Sequence, residues 1–449
     1  LTRQTQGVLV ALALLAAPAG GWAEDGADDG ARIAQDELLR ESAEILEELA
    51  RLRGIAATEP VTQVVLDRES VLERVREIVD REVPESARRS ADALADALGL
   101  MSDGETWFER YLELLTAEVA GFYDHNAKAL YVLRDTPLTY QRPVLAHELF
   151  HAVQDQRWGL SDVIGHAQWL TDPALAMQAL IEGDAVVAMT AHTMGDASAL
   201  TKEGLLRQTM LQALSGSTAI NTSGAPAVMW AQLVFPYAAG LEFVFSIVEP
   251  NDWSPVDRAY EAPPLSTEQV LHPERYLDRD APTWLTHTLD PPGAYRAGGD
   301  VFGEMMMASI CRQLLADFIS AGACDRAADG WDGDRADVFH FEDDEGRSLL
   351  VWVSVWDSID EAGAFSRVLS RLADAWLGVT AVELPGTAHG GAWEAMGPDG
   401  RLWIERWGDL VLVASDRGGT ASARARRDTL RDVVTQLWST LQRSEYPAF

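Results

Sequence analysis

Apolar residues recur at helical spacing through Ile33, Leu38, Ile45, Leu46, Leu49 and Leu52, with acids opposite, predicting a helix over 31–53 that Gly54 ends. Residues 61–66 then read as a short strand. Helical patterns return over 68–81, over 86–98 with Gly99 as the stop, and over 107–118. Gly121-Phe122-Tyr123 and Ala129-Leu130-Tyr131-Val132-Leu133 flank a polar stretch, the pattern of a β-hairpin. Pro143 suits a first helical turn and opens a helix to about Gln156, and a second apolar helix runs from Ala174 to Met194. Residues 200–245 read as mainly helical with a small-residue break over 215–226, followed by a Pro-rich loop over 261–273 and a helix over 301–320.

From about Gly330 the period changes. Val338–Phe341 and Leu349–Val355 predict a hairpin, 359–377 a helix, 393–396, 402–406 and 410–414 a meander, and 421–441 a closing helix. The fold class expected is α+β: a helix-rich core with a small mixed sheet, then a C-terminal antiparallel α+β domain. The expected units are 1–23, 24–60 (helical), 61–329 (the core) and 330–449 (accessory). A chain of 449 residues exceeds the usual single hydrophobic core, which agrees with this division.

Composition narrows the partners. A formal charge of −34 argues against nucleic acid, because phosphate recognition needs clustered basic side chains. Arg3, the apolar run Val8–Ala17 and the small residues before Ala23 have the layout of a secretory signal peptide over 1–23, too short to span a bilayer comfortably. No later stretch is both uncharged and of spanning length, so no transmembrane segment is expected in the mature chain, and localisation is expected to be periplasmic or extracellular. Cys311 and Cys324 suit an oxidising compartment; the sequence leaves their pairing open. It leaves oligomeric state open too.

The chemistry centres on His147-Glu148-Leu149-Phe150-His151. Histidines at i and i+4 project from one helix face, close enough to share one metal ion, and the intervening glutamate can reach water beside that ion. The surrounding Val144-Leu145-Ala146 and Ala152-Val153 are apolar, so the polar triplet requires compensation, which a zinc ion supplies. A catalytic zinc site takes three protein ligands and keeps one position open. One arrangement places a glycine three and a histidine six residues after the second histidine, but Gln154 and Arg157 stand there. His166 falls in a loop. Glu182, in the apolar run Ala179-Leu180-Ile181-Glu182-Gly183-Asp184-Ala185, is the better third ligand: a charge on a buried helix needs a partner, and Gly183 permits close approach beside it.

The stretch from His147 to Asp155 resembles the active-site helix of the gluzincins, the thermolysin-like metallopeptidases whose third ligand is a glutamate. The Glu182-Gly183-Asp184-Ala185 element is similar to the ligand helix of exported bacterial peptidases with a minimal catalytic core. The resemblance covers about residues 60–200, is loose to about 330, and gives nothing beyond. It implies zinc as cofactor, His147, His151 and Glu182 as ligands, and a peptide or protein substrate. Glu148 would take a proton from water and pass it to the leaving amine. Two departures stand out. The thermolysin-like pattern supports a zinc histidine with an aspartate four residues after the glutamate, where Val186 stands, so Asp184 or Asp155 would fill that role. The gap from His151 to Glu182 is also longer than in the familiar members.

In such folds an edge strand pairs with extended substrate, for which the 121–133 hairpin is the candidate. Tyr237 and His272 are candidate donors to the tetrahedral oxyanion. His125 and His192 read as structural. Asp329, Asp332, Asp334 and Asp337 lack the spacing of a calcium loop and read as a solvated turn. Two other readings use the same residues: a non-catalytic, zinc-stabilised protein that binds envelope components, and a zinc hydrolase of non-peptide substrates.

Overall fold

The computed structural model describes residues 11–12, 35–101, 104–117, 119, 121–134, 138–165, 170–195, 224–248, 252–385 and 390–447. The signal-like segment apart from Ala11 and Leu12, His166, and most of the 200–226 stretch lie outside these residues. The class is α+β, with a small mixed sheet and a seven-stranded antiparallel sheet.

The first half is helical. Helix α1 (Gln35–Arg53) buries Leu38, Ile45 and Leu49 completely. Strand β2 (Thr62–Leu66) leads into α2 (Arg68–Glu82), whose N-cap Asp67 accepts a hydrogen bond from the Ser70 amide. Helix α3 (Glu85–Leu98) ends at Gly99 in the left-handed conformation, and α4 (Trp107–Ala117) follows. The hairpin forms as expected, β3 (Gly121–Asp124) against β4 (Ala129–Leu133), with β2 parallel to β4 on the far side. The outer edge of β3 carries one short antiparallel partner, β1 (Ala11–Leu12), with Ala11 opposite Tyr123 and Leu12 opposite Phe122.

Two long helices form the centre. Helix α5 (Leu138–Trp158) begins before Pro143 rather than at it; in the second turn the proline forgoes a single intrahelical hydrogen bond. A short α6 (Leu160–Gly165) connects to α7 (Thr171–Met194), and α8 (Ala227–Ile247) packs along α7. By length and composition helices α7 and α8 are apolar enough to cross a membrane, although neither is uncharged: α7 carries Asp172, Glu182 and Asp184, and α8 carries Glu242. Their apolar windows are 89% and 67% buried inside the molecule. They approach at their backbones: a Cβ on Gly183 would lie 2.2 Å from the Gly240 carbonyl oxygen, and one on Gly240 would lie 2.1 Å from that of Ala179. Gly183 is thus needed for helix contact, not for room around an ion.

The Pro-rich loop expected over 261–273 is instead a run of short helices, α9 (Ser254–Glu261), α10 (Thr267–Leu271) and α11 (Pro273–Asp278). After β5 (Trp284–Thr286) come β6 (Ala294–Asp300), α12 (Gly303–Leu314) and α13 (Ala321–Ala328). A disulfide joins Cys311 of α12 to Cys324 of α13.

The large sheet then assembles from β7 (Trp331–Phe341), β8 (Ser348–Trp356), β9 (Val382–Leu384), β10 (Ala392–Met396), β11 (Gly400–Trp407) and β12 (Leu410–Arg417), in the order β6-β7-β8-β12-β11-β10-β9. Because β6 ladders onto β7, the sheet begins before residue 330, where the sequence boundary was expected. Helices cover both faces, which explains the continuous apolar run of β8. Leu349, Val351, Val353 and Val355 pack under the closing helix α16 (Ala423–Thr440). Leu350, Trp352 and Trp356 point the other way, towards α14 (Ile359–Leu369) and α15 (Leu372–Leu377), into which the expected 359–377 helix is divided.

Of the acidic run, Asp332, Asp334 and Asp337 lie in strand β7 rather than in a solvated turn, while Asp329 caps α13 and is exposed. Asp334 accepts hydrogen bonds from the Phe302 and Gly303 amides and from the Trp331 and Trp352 indoles, and Asp337 pairs with Arg296, Arg335 and His287. Tertiary partners outweigh the polarity of the run.

Candidate metal centre

Between Pro143 and Asp155, α5 is apolar apart from His147, Glu148, His151, Gln154 and Asp155, and all five are buried. Its neighbour α7 brings Glu182 opposite them. His147 Nε2 lies 3.0 Å from Glu182 Oε2, His151 Nε2 lies 3.3 Å from the same oxygen, and the two Nε2 atoms are 3.0 Å apart. The three ligand atoms fall within 4.8 Å of one another, so this group can hold a metal ion. At that distance the two imidazole nitrogens either share a proton in a hydrogen bond or, with both lone pairs turned inward, converge on a cation. The donor set, two imidazoles and a carboxylate, fits a metal such as zinc.

The electrostatics of the group favour positive charge around Glu182. Burial alone would lower both imidazoles, and His147 is lowered. At His151 the Glu182 charge and hydrogen bond outweigh burial and raise the ring to about 9. Burial pushes the Glu182 carboxyl up, but His151 and the imidazole hydrogen bonds hold it at about 2.

The support around His151 was not foreseen. Its Nδ1 lies 2.7 Å from Gln154 Oε1, while Gln154 Nε2 donates to the Ile181 carbonyl at 2.9 Å and to the Tyr260 hydroxyl at 2.6 Å. Tyr260 in turn donates to Asp184 Oδ2 at 3.1 Å. Arg53 holds Asp184 through Nε at 2.9 Å, donates to Asp257 at 2.8 Å, and lies over the Trp253 ring. With the amide nitrogen committed to two acceptors, only the Gln154 oxygen can face His151. That keeps a proton on Nδ1 and turns Nε2 towards Glu182, where its lone pair becomes available to a metal once the Nε2 proton is lost.

Asp184 does not touch a histidine, against what the resemblance implies; Gln154 takes that place, and Asp184 reaches His151 only through Tyr260 and Gln154. Asp155 does not touch either imidazole: it accepts from the Tyr123 hydroxyl at 2.9 Å and pairs with Lys128 at 2.5 Å, tying the hairpin to α5. His147 Nδ1 has no protein hydrogen-bond partner among the described residues.

Glu148 faces the hairpin, where its Oε2 accepts the Tyr123 amide of β3 at 2.8 Å. Tyr237, on α8, joins the group. Its ring stacks beside His147 with centroids 6.0 Å apart and its hydroxyl hydrogen-bonds Glu182. Burial, then the charges of Glu182 and Glu148, keep that hydroxyl protonated far above its ordinary range. His272 is not brought to this group. Its Nε2 lies 3.1 Å from Glu304 instead, so Tyr237 is the oxyanion candidate the structure retains. His125 and His192 are structural in place, the first beside Asn126 and the second paired with Glu48.

A family model described as a domain of unknown function (DUF8575) matches residues 292–428, from just before β6 into α16. The match lies wholly outside α5 and α7. No curated protein and no solved structure matches the chain.

Proposed function

We propose that the chain is a zinc-dependent metallopeptidase acting outside the cytoplasm, with His147, His151 and Glu182 as ligands and Glu148 as general base. The observation that carries this reading is the convergence of three ligand atoms from α5 and α7, with Glu148 held beside them. When bound, zinc supplies a Lewis acid that acidifies water and polarises a carbonyl. Glu148 accepts a proton from the attacking water and returns it to the leaving amine. The Tyr123 amide fixes its carboxylate for that exchange. Tyr237 donates to the oxygen that becomes negative in the tetrahedral state.

The β3 edge supports a peptide substrate in particular. It already pairs antiparallel with β1, the mode in which an extended peptide would add to the sheet. The leader-like pattern of residues 1–23 and the disulfide support export.

The test is cleavage of casein and a peptide library by the full chain, with and without chelator, beside Glu148→Gln. The reading expects chelator-sensitive cleavage and a loss of about 10²–10⁴-fold in the variant, with metal content unchanged. Wild-type activity in Glu148→Gln contradicts the mechanism. A metal-loaded chain that cuts no peptide leaves the zinc-stabilised binding protein as the better account.

A further inference from the structure

Among the described residues, one other set of side chains outside the His147 group converges in the way metal ligands do. His272 stands between α10 and α11, Glu304 in the first turn of α12, and Asp329 at the C-cap of α13. Their ligand atoms lie within 4.8 Å of one another. His272 Nε2 is 3.1 Å from both Glu304 oxygens and 4.0 Å from Asp329 Oδ1.

An ordinary histidine–glutamate pair accounts for only part of this. One N–H can serve one oxygen, and Glu304 Oε2 is left buried without a hydrogen bond on a side chain only 9% exposed. A second buried carboxylate, Glu268, lies close enough to feel the Glu304 charge, and among the described residues its Oε1 meets the Arg275 guanidinium at 3.4 Å. The nearby cation, Arg275, is divided among Glu268, Asp280 and Asp357. The locality thus sets two buried carboxylates against one histidine and one shared arginine. The Cys311–Cys324 disulfide clamps α12 to α13, fixing Glu304, two helical turns before Cys311, against Asp329, five residues after Cys324. The donors are therefore held in place by a covalent bond as well as by packing.

We infer that His272, Glu304 and Asp329 form a second divalent-cation site, distinct from the His147 group. One imidazole and two carboxylates suit zinc or manganese, with water completing the coordination. Asp329 is exposed, so the ion enters from solvent. Its position ties the α10–α11 corner to the segment leading into β7, so occupancy stabilises the junction between the helical half and the large sheet. The inference does not depend on the peptidase reading.

The experiment is equilibrium dialysis of the full chain against zinc, then against manganese, with bound metal counted per chain. The set comprises wild type, His272→Ala, Glu304→Gln and Asp329→Asn, with circular dichroism as the folding control. Each substitution is expected to remove one equivalent, or to weaken the second equivalent at least tenfold, and to lower the metal-dependent part of Tm. This holds whatever the His147 group binds: a wild type with one equivalent that the substitutions abolish still supports the second site and instead counts against the first. Asp329→Asn alters an exposed side chain and serves as the deciding variant should either of the others fail to fold. Unchanged metal content and affinity in Asp329→Asn and in every folded variant overturns the inference.

Discussion

His151 and Gln154 form the hinge of the candidate centre: the imidazole Nδ1 meets the amide oxygen at 2.7 Å, one helical turn along α5. Because the amide nitrogen is spent on Ile181 and Tyr260, the glutamine cannot turn over, and the imidazole is held with Nε2 facing His147 and Glu182.

Replacing Gln154 by methionine keeps the volume and removes the acceptor. Zinc affinity, measured by competition with a chromophoric chelator, is expected to fall about 10–100-fold, the range for lost partners of ligand histidines. Equal affinity contradicts the tautomer argument.

The next support outward is electrostatic. Arg53 and Asp184 are both buried, their side chains 1% and 0% exposed, so removing one leaves a charge without compensation. Arg53→Met is expected to cost about 3–5 kcal/mol in denaturant unfolding. Adding Asp184→Asn should recover part of that cost, because the stranded charge is removed as well. Additive costs in the double variant contradict direct pairing. The pair also makes α1 an integral part of the metal-centre support.

Gly183 and Gly240 set how closely α7 and α8 approach, and Tyr237 lies on α8 one turn before Gly240. Gly183→Ala is expected to lower stability by roughly 1–3 kcal/mol or more, because its Cβ meets backbone rather than a movable side chain. Thermal unfolding reads the effect. An unchanged Tm contradicts the close contact.

A pH effect arises away from the centre. Asp172 Oδ1 accepts from the Thr267 amide and hydroxyl at 2.8 and 2.6 Å, but Oδ2 is buried without a hydrogen-bond partner among the described residues, with Asp300, Asp334 and Tyr446 nearby. Burial raises the Asp172 carboxyl from 3.8 to about 8. The folded chain therefore keeps a proton that the unfolded chain releases between these values. The resulting stability is complete below about pH 4 and is lost as pH rises through about 8. Asp172→Asn removes this titration. Relative to wild type it is expected to gain stability from pH 5 to 8, by up to about 1.4 kcal/mol per pH unit. Urea titrations at several pH values check this, and a difference independent of pH contradicts it.

What the sequence showed depended on how local the signal was. The i, i+4 histidines, the glutamate between them and the apolar run around Glu182 are each contained within one helix, and the structure brings them together. The 121–133 hairpin was legible for the same reason. The supports of His151 were not: Tyr260 is 106 positions from Gln154, and Arg53 is 131 from Asp184, separations that no periodicity encodes. Strand β6 was missed because Gly298-Gly299 reads as a turn. Glycine is required there, since a Cβ on Gly298 would lie 2.7 Å from Ser90 Oγ, which also accepts the Gly299 amide. His272 was misassigned because an isolated histidine carries no sign of its partner, and Glu304 lies 32 residues away.

The most direct measurement is a crystal structure of the zinc-loaded chain with anomalous data at the zinc edge. The account predicts a peak between α5 and α7, about 2.0–2.2 Å from His147 Nε2, His151 Nε2 and a Glu182 oxygen. A zinc-soaked crystal with no peak at those three atoms, and with the two imidazoles still in contact, would contradict it.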